Sequence, residues 1–194
     1  VVEIRDALKW QGHAVTLLKV DRNNWRKAAR MPGDVIINLV EDPSWELFGK
    51  VSRLLNISGR VQVGMDARSV ALTDDKEKVK RRLVSKGLAT PKYRIIGLNP
   101  KVVRIKGMEY PLIVKPAGEH ASLGISQDSV VIDDKELQAR VDYLRGKFGG
   151  SVLVEEYIDG RELHVTVLGN GRHVFALPHT EIEFRGEYAD NWNV

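Results

Sequence analysis

The amino-acid sequence predicts a partial doubly wound α/β domain over residues 1–64, followed by an α+β module. Three observations predict it. Helical and strand-like apolar patterns alternate from Val1 to Gly64. Beyond that point the order changes to helix, strands, helix, strands. The two later helices also carry matching punctuation, an aspartate three residues before a glutamate at the start and a glycine at the stop. These are Asp74 with Glu77 closing at Gly87, and Asp133 with Glu136 closing at Gly149-Gly150.

Residues 2–11 place Ile4, Ala7 and Leu8 on one helical face, and Gly12 supplies the left-handed stop. A strand AVTLLKV follows, then a polar loop and a short helix from Trp25 to Arg30. The MPGD turn leads into VIINLV, a continuous apolar run of the kind buried in parallel sheets. A helix from Trp45 to Asn56 and a strand RVQV complete the alternation. No strand precedes the first helix for it to cross over from. The chain also begins at Val1 without a methionine and stops at Trp192-Asn193-Val194, so both ends are expected to be cut.

The second module opens with the helix ending at Gly87. ATPKYRII and YPLIVKP read as strands, PAGEHASLGIS as a loop of small residues, and VVI as a further strand. A helix to Phe148 comes next. SVLVEEYI and ELHVTVLG are expected as strands flanking the turn DGR, and Asn170-Gly171 signals a hairpin into RHVFALP.

Composition narrows the function classes. No apolar run is long enough to span a membrane as a helix, and the start lacks a signal-peptide layout, so a cytoplasmic protein is expected. There is no cysteine, which excludes disulfides and thiolate metal sites. Thirty Lys and Arg against 26 Asp and Glu give a formal net charge of +4, spread along the chain. The densest basic run, Lys76 to Arg82, has no interleaved aromatics for base stacking, so neither nucleic acid nor membrane is expected as a partner. His13, His120, His164, His173 and His179 show no metal spacing, and no G-x-S-x-G elbow is present.

Two segments could carry chemistry. Lys115 ends an apolar strand and is followed by Pro116 and a loop with Gly118, Ala121, Ser122 and Gly124. Such small residues let backbone amides approach an anion, which suits a phosphate; a solvated lysine beside a mobile loop is the alternative. In VEEYIDGRE, residues 154–162, two carboxylates close a strand and Glu162 returns after a turn. Carboxylates can accept from ribose hydroxyls and an extended hinge can read an adenine edge; a hairpin with charged outward positions is the alternative.

Taken in order, the segments GMDARSVALTDDKEKVKRRLVSKGLATPKY, YPLIVKPAGEHASLGISQDSVV and SVLVEEYIDGRELHVTVLGN resemble successive motifs of ATP-grasp enzymes related to D-alanine-D-alanine ligase. INLVED and LNISGRVQVGMD resemble the end of that family's N-terminal domain. The resemblance implies a partial N-terminal domain over 1–64, a central ATP-grasp subdomain over 65–156 and the opening of a C-terminal one over 157–194. It implies ATP and Mg²⁺ as cofactors, with the magnesium ligands expected outside this sequence, and small amino-acid-like substrates. A homodimer is left open.

Residue by residue, the resemblance implies that Lys76 and Lys115 contact the nucleotide phosphates. Ser122, Leu123 and Gly124 would cover them. Glu155, Glu156, Tyr157 and Ile158 would form the adenine hinge, and Glu162 would hold the ribose. The expected activity is an ATP-dependent carboxylate-amine ligation through an acylphosphate, with the fragment alone inactive; a non-catalytic nucleotide-binding module is the alternative. The sequence departs from the family pattern in three places. Asn38 to Asp42 replaces a His-Gly motif, His120-Ala121-Ser122 replaces Gly-Ser-Ser, and Asn191 stands where a phosphate-contacting lysine is expected.

Overall fold

A computed structural model describes residues 1–42, 46–98, 105–119, 122–186 and 191–194. They form two compact units, Val1–Arg82 and Leu83–Val194.

In the first unit, α1 (Val2–Trp10) ends where Gly12 turns left-handed at φ 87°. A 3-10 turn covers Trp25–Arg30. Strands β1 (Val35–Ile37) and β2 (Val61–Val63) pair in parallel, with Val35 opposite Val61. A parallel pair needs a crossover, and α2 (Glu46–Ile57) supplies it. The buried residues of α2 fall at helical spacing on one face: Leu47, Phe48, Val51, Ser52 and Leu55. Val51 and Leu55 close a small core with Ala28, onto which Leu18, Val20, Trp25, Ile36 and Val40 pack. Next come α3 (Ala67–Thr73) and α4 (Lys76–Ser85), the latter running on past Arg82.

Several expectations for this region are corrected. Ala14–Val20 belongs to no strand: it has no ladder partner among the described residues, and its apolar side chains serve the core from an irregular segment. VIINLV pairs over three residues only, and Val35 and Ile37 are exposed, so β1 is not covered on both faces. The start of α4 is held by Asp75 rather than Asp74, for Asp75 Oδ1 accepts from the N–H groups of Glu77 (2.9 Å) and Lys78 (3.1 Å). The expected helix start at Trp45 lies outside the described residues. Helix α3 was not foreseen, being too short for its apolar spacing to register.

The second unit is built on a four-stranded antiparallel sheet in the order β3 (Tyr93–Ile96), β6 (Val152–Glu156), β4 (Leu112–Pro116), β5 (Val130–Val131). Helix α5 (Asp134–Phe148) covers one face. Its start is as expected, with the Glu136 N–H donating to Asp133 Oδ1 at 2.8 Å and Glu136 reaching back to the Ile132 N–H at 2.9 Å. Leu137, Val141 and Leu144 project from α5 onto Leu112, Val114, Val152 and Val154, and all seven are essentially buried. Each such side chain stabilises the fold by about 1.5–3 kcal/mol relative to exposure.

Beyond β6 the chain forms two ribbons, β7 (Glu162–His164) with β10 (Thr180–Ile182), and β8 (Val167–Asn170) with β9 (His173–Ala176). The hairpin at Asn170-Gly171 forms as expected. ELHVTVLG is two strands rather than one, because the chain changes partner after His164, and the Thr166 carbonyl accepts from the Leu177 N–H at 2.8 Å. The turn at DGR joins no hairpin either, since β7 pairs with β10 and not with β6.

Candidate functional site

Strand alternation decides which side chains of β4 are available for chemistry. Leu112, Val114 and Pro116 are buried, whereas Ile113 and Lys115 lie on the other face and are only partly covered. In the β4–β6 register Ile113 lies opposite Glu155 and Lys115 opposite Leu153, so Lys115 and Glu155 are diagonal neighbours on that face. Lys115 Nζ forms an ion pair with Glu155 Oε1. The side chains are 23% and 7% exposed, so the pair sits where water screens it weakly. Tyr93 of β3 lies opposite Glu155 on its other flank.

Glu156 points to the opposite face from Glu155, as the two-residue period requires. It is held by Lys92: the Lys92 N–H donates to Glu156 Oε2 at 2.9 Å, and Lys92 Nζ lies 3.2 Å from Oε1. Glu156 and Lys92 border an open cavity of about 550 Å³ with Lys106, Gly107, Met108 and Glu109. The two adjacent glutamates are therefore divided between the two sides of the sheet.

The loop after β4 returns to the strand it left. Ser122 and Gly124 are both left-handed, at φ 57° and 80°, and the Ile125 N–H donates to the Ser122 carbonyl at 3.0 Å. His120 and Ala121 lie outside the described residues. A Cβ on Gly124 would stand 2.8 Å from Phe148 Cε2 and 2.9 Å from Pro116 Cγ, so the backbone there is pressed against α5 and the end of β4. Arg140, on the core face of α5, donates through Nη2 to the Gly124 carbonyl and to Ser129 Oγ, both at 2.7 Å. Burial pulls the Arg140 pKa down from its ordinary value, with Asp128 and Tyr143 opposing the shift. Sequence reasoning missed this anchor. Its signal was an arginine beside the Leu137, Val141, Leu144 stripe, where a charge is retained only if partnered.

Past β6, the Tyr157 N–H donates to the Pro111 carbonyl at 3.2 Å, and Ile158 is 65% exposed. Glu162 begins β7, is exposed, and lies 3.1 Å through Oε1 from His164 Nε2. The structure thus pairs Lys115 with Glu155 on one face of the sheet, while Gly124 of the following loop packs against Pro116 and Phe148 on the face that α5 covers. Glu156 is turned away, Glu162 stands on the outer ribbon, and Lys76 opens α4 in the first unit. Asn191 is exposed; Tyr188, Ala189 and Asp190 lie outside the described residues. Among the described residues no three His, Asp or Glu side chains are grouped to hold a metal, and no helix is long and apolar enough to cross a membrane.

The chain has relatives of known sequence and fold. The family described as D-ala D-ala ligase C-terminus matches residues 87–191. The chain is similar to a D-alanine--D-alanine ligase of Xanthomonas axonopodis pv. citri, at 34% identity over 146 residues, covering 73% of this chain and 43% of that one. It is also similar to the uncharacterized protein y4sG of Sinorhizobium fredii, at 33% identity over 94% of this chain and 55% of the relative. The chain therefore spans about half the length of the curated relatives it matches. Among solved structures it resembles in fold the D-Alanine-D-Alanine ligase from Helicobacter pylori, with a TM-score of 0.60 and 24% identity over 76% of this chain and 46% of that one. The VanG D-Ala:D-Ser ligase from Enterococcus faecalis gives a TM-score of 0.63 at 24% identity, over 79% and 44% of the respective chains.

Proposed function

The chain belongs to the D-ala D-ala ligase C-terminus family, and from that membership we propose that it carries the ATP-binding portion of a carboxylate-amine ligase. The observation that carries this reading is the Lys115–Glu155 pair at the end of β4, the strand that leads into a loop holding left-handed Ser122 and Gly124. A half-buried ammonium has three N–H donors, and a single carboxylate leaves capacity for a phosphate oxygen. Glu155 aims the cation. Ser122, Leu123 and Gly124 lie over the phosphates, where small or left-handed residues leave amides open to an anion.

The backbone from Glu156 to Ile158 reads the adenine edge, and Glu162 accepts from the ribose hydroxyls. The bound nucleotide, taken as its Mg²⁺ complex, supplies the γ-phosphoryl group: a substrate carboxylate oxygen displaces ADP, and an amine then displaces phosphate from the acyl carbon, losing a proton to leave an amide. Among the described residues no group of three His, Asp or Glu side chains could hold the Mg²⁺. Lys115 has the electrostatic task, since negative charge migrates among the phosphoryl oxygens as the bond to ADP breaks. The proposed substrates are small amino acids or close analogues, and such use of ATP goes with a cytoplasmic setting.

The test is a calorimetric titration of the chain with Mg-ATP, repeated on Lys115→Ala and on Lys115→Met combined with Glu155→Leu. The double variant removes the cation together with the carboxylate it pairs with. Binding by the unmodified chain and a loss of at least about tenfold, roughly 1.4 kcal/mol, in both variants supports the reading. Equal affinity in all three would sink it.

A further inference from the structure

Gln127 is tied to Trp192 by a reciprocal pair of hydrogen bonds. Its Nε2 donates to the Trp192 carbonyl at 2.9 Å, and the Trp192 N–H donates to its Oε1 at 2.9 Å. A primary amide presents a donor and an acceptor side by side, so it pairs with one residue of extended backbone as a neighbouring strand would. The next residue reaches the hinge from both sides. The Asn193 N–H donates to the Tyr157 hydroxyl at 2.9 Å, and Asn193 Nδ2 donates to the Gly160 carbonyl at 3.4 Å. The Trp192 ring meets the Tyr157 ring edge to face, with centroids 5.1 Å apart at 73°. Between those two points lies Ile158, a large apolar side chain left 65% exposed.

We infer that Gln127 is a positioning residue: by holding Trp192 and Asn193 against Tyr157 and Gly160 it fixes the hinge in the shape that receives the adenine edge. Nothing in Gln127 touches the proposed base, and its influence runs through the clasped segment. The backbone of its own turn is held independently, with Ser126 and Ser129 exchanging hydrogen bonds across it at 2.8 and 2.9 Å. Loss of the side chain therefore loosens the 191–194 segment, which keeps its ties to Tyr157 and Gly160, without unmaking the turn from Ser126 to Ser129.

The inference rests on the nucleotide reading above, and its experiment separates the two. Hydrogen exchange at the Trp192 and Asn193 amides is measured with the dissociation constants of ATP and of inorganic tripolyphosphate, for the unmodified chain, Gln127→Ala and Tyr157→Phe. In Gln127→Ala both amides should lose protection. If the competent hinge falls to about a tenth of the population, ATP should bind about tenfold more weakly. Tripolyphosphate, which has no base to present, should bind as before. Tyr157→Phe keeps the ring and removes the acceptor, so it should shift ATP in the same direction by less.

An equal loss for both ligands marks a merely structural role and overturns the inference, as does freed segment motion with unchanged ATP affinity. Should the unmodified chain bind tripolyphosphate but not ATP, the nucleotide reading falls and the coupling falls with it. Protected amides would then still report the clasp.

Discussion

Lys115 shows how one side chain can serve stability and chemistry at once. Its removal takes an ion-pair partner from the Glu155 carboxylate, which is 7% exposed, and breaking a buried pair from one side costs more than the intact pair contributes. Lys115→Met should therefore lower unfolding free energy by about 3 kcal/mol, discounted from deeper sites because the ammonium is partly wet. Adding Glu155→Leu should recover most of the loss; urea denaturation of the two variants measures it. Gly124 gives a second residue-scale expectation. Gly124→Ala meets Phe148 and Pro116 below 3 Å at a φ of 80°, so a loss of about 2 kcal/mol is expected. Gly118→Ala meets nothing within 4 Å and should be near neutral. The sequence pointed to Lys115 and to the small residues of its loop as a phosphate site, with a solvated lysine as the alternative. It could not show that Glu155 was the partner, because strand register decides that, nor that Gly124 is required by packing on α5.

At the scale of single elements, capping was legible and pairing was not. Asp133 and Gly149 bound α5 as expected, because those signals act within one turn. Ala14–Val20 had the composition of a strand, yet a strand exists only with a neighbour, and composition carries no information about neighbours. Helix α3 also escaped notice, though its cap is a strong one: the Ser69 N–H donates to Asp66 Oδ1 at 2.6 Å. The backbone N–H of Ser69 is the main cause of a lowered Asp66 pKa, with its hydroxyl adding to the effect. A carboxyl whose pKa is depressed by folding contributes stability above its unfolded pKa of about 3.9 and loses it as pH falls through the folded value. Asp66→Ala should accordingly cost about 1 kcal/mol at neutral pH, with the deficit shrinking toward about pH 3. Paired urea midpoints at the two pH values check both the size and the sign.

Across the whole molecule, order of packing divides the second unit in two. The sheet β3–β6–β4–β5 has α5 over one face, and its central strand β6 is bonded on both sides, whereas the ribbons β7–β10 and β8–β9 expose every residue. Two-stranded ribbons whose residues are all exposed are marginal in water, so their amides should exchange much faster than those of β6. Their surface is also unusually apolar. Leu168 and Phe175 are directly opposed across β8 and β9, at 45% and 58% exposure, and Val167 and Val174 show on the reverse face. An exposed patch of this kind binds hydrophobic dyes and promotes self-association. Leu168→Thr with Phe175→Thr puts β-branched residues, which suit a strand, into the ladder while removing one apolar face. The double variant should show lower anilinonaphthalene sulfonate fluorescence and less concentration-dependent scattering, with the exchange rates of β6 unchanged. Slower exchange in β8 and β9 at high concentration of the unmodified chain, lost in the variant, would identify the ribbon as the surface through which copies associate. Unchanged dye binding in the variant would mean that the patch is already covered in solution.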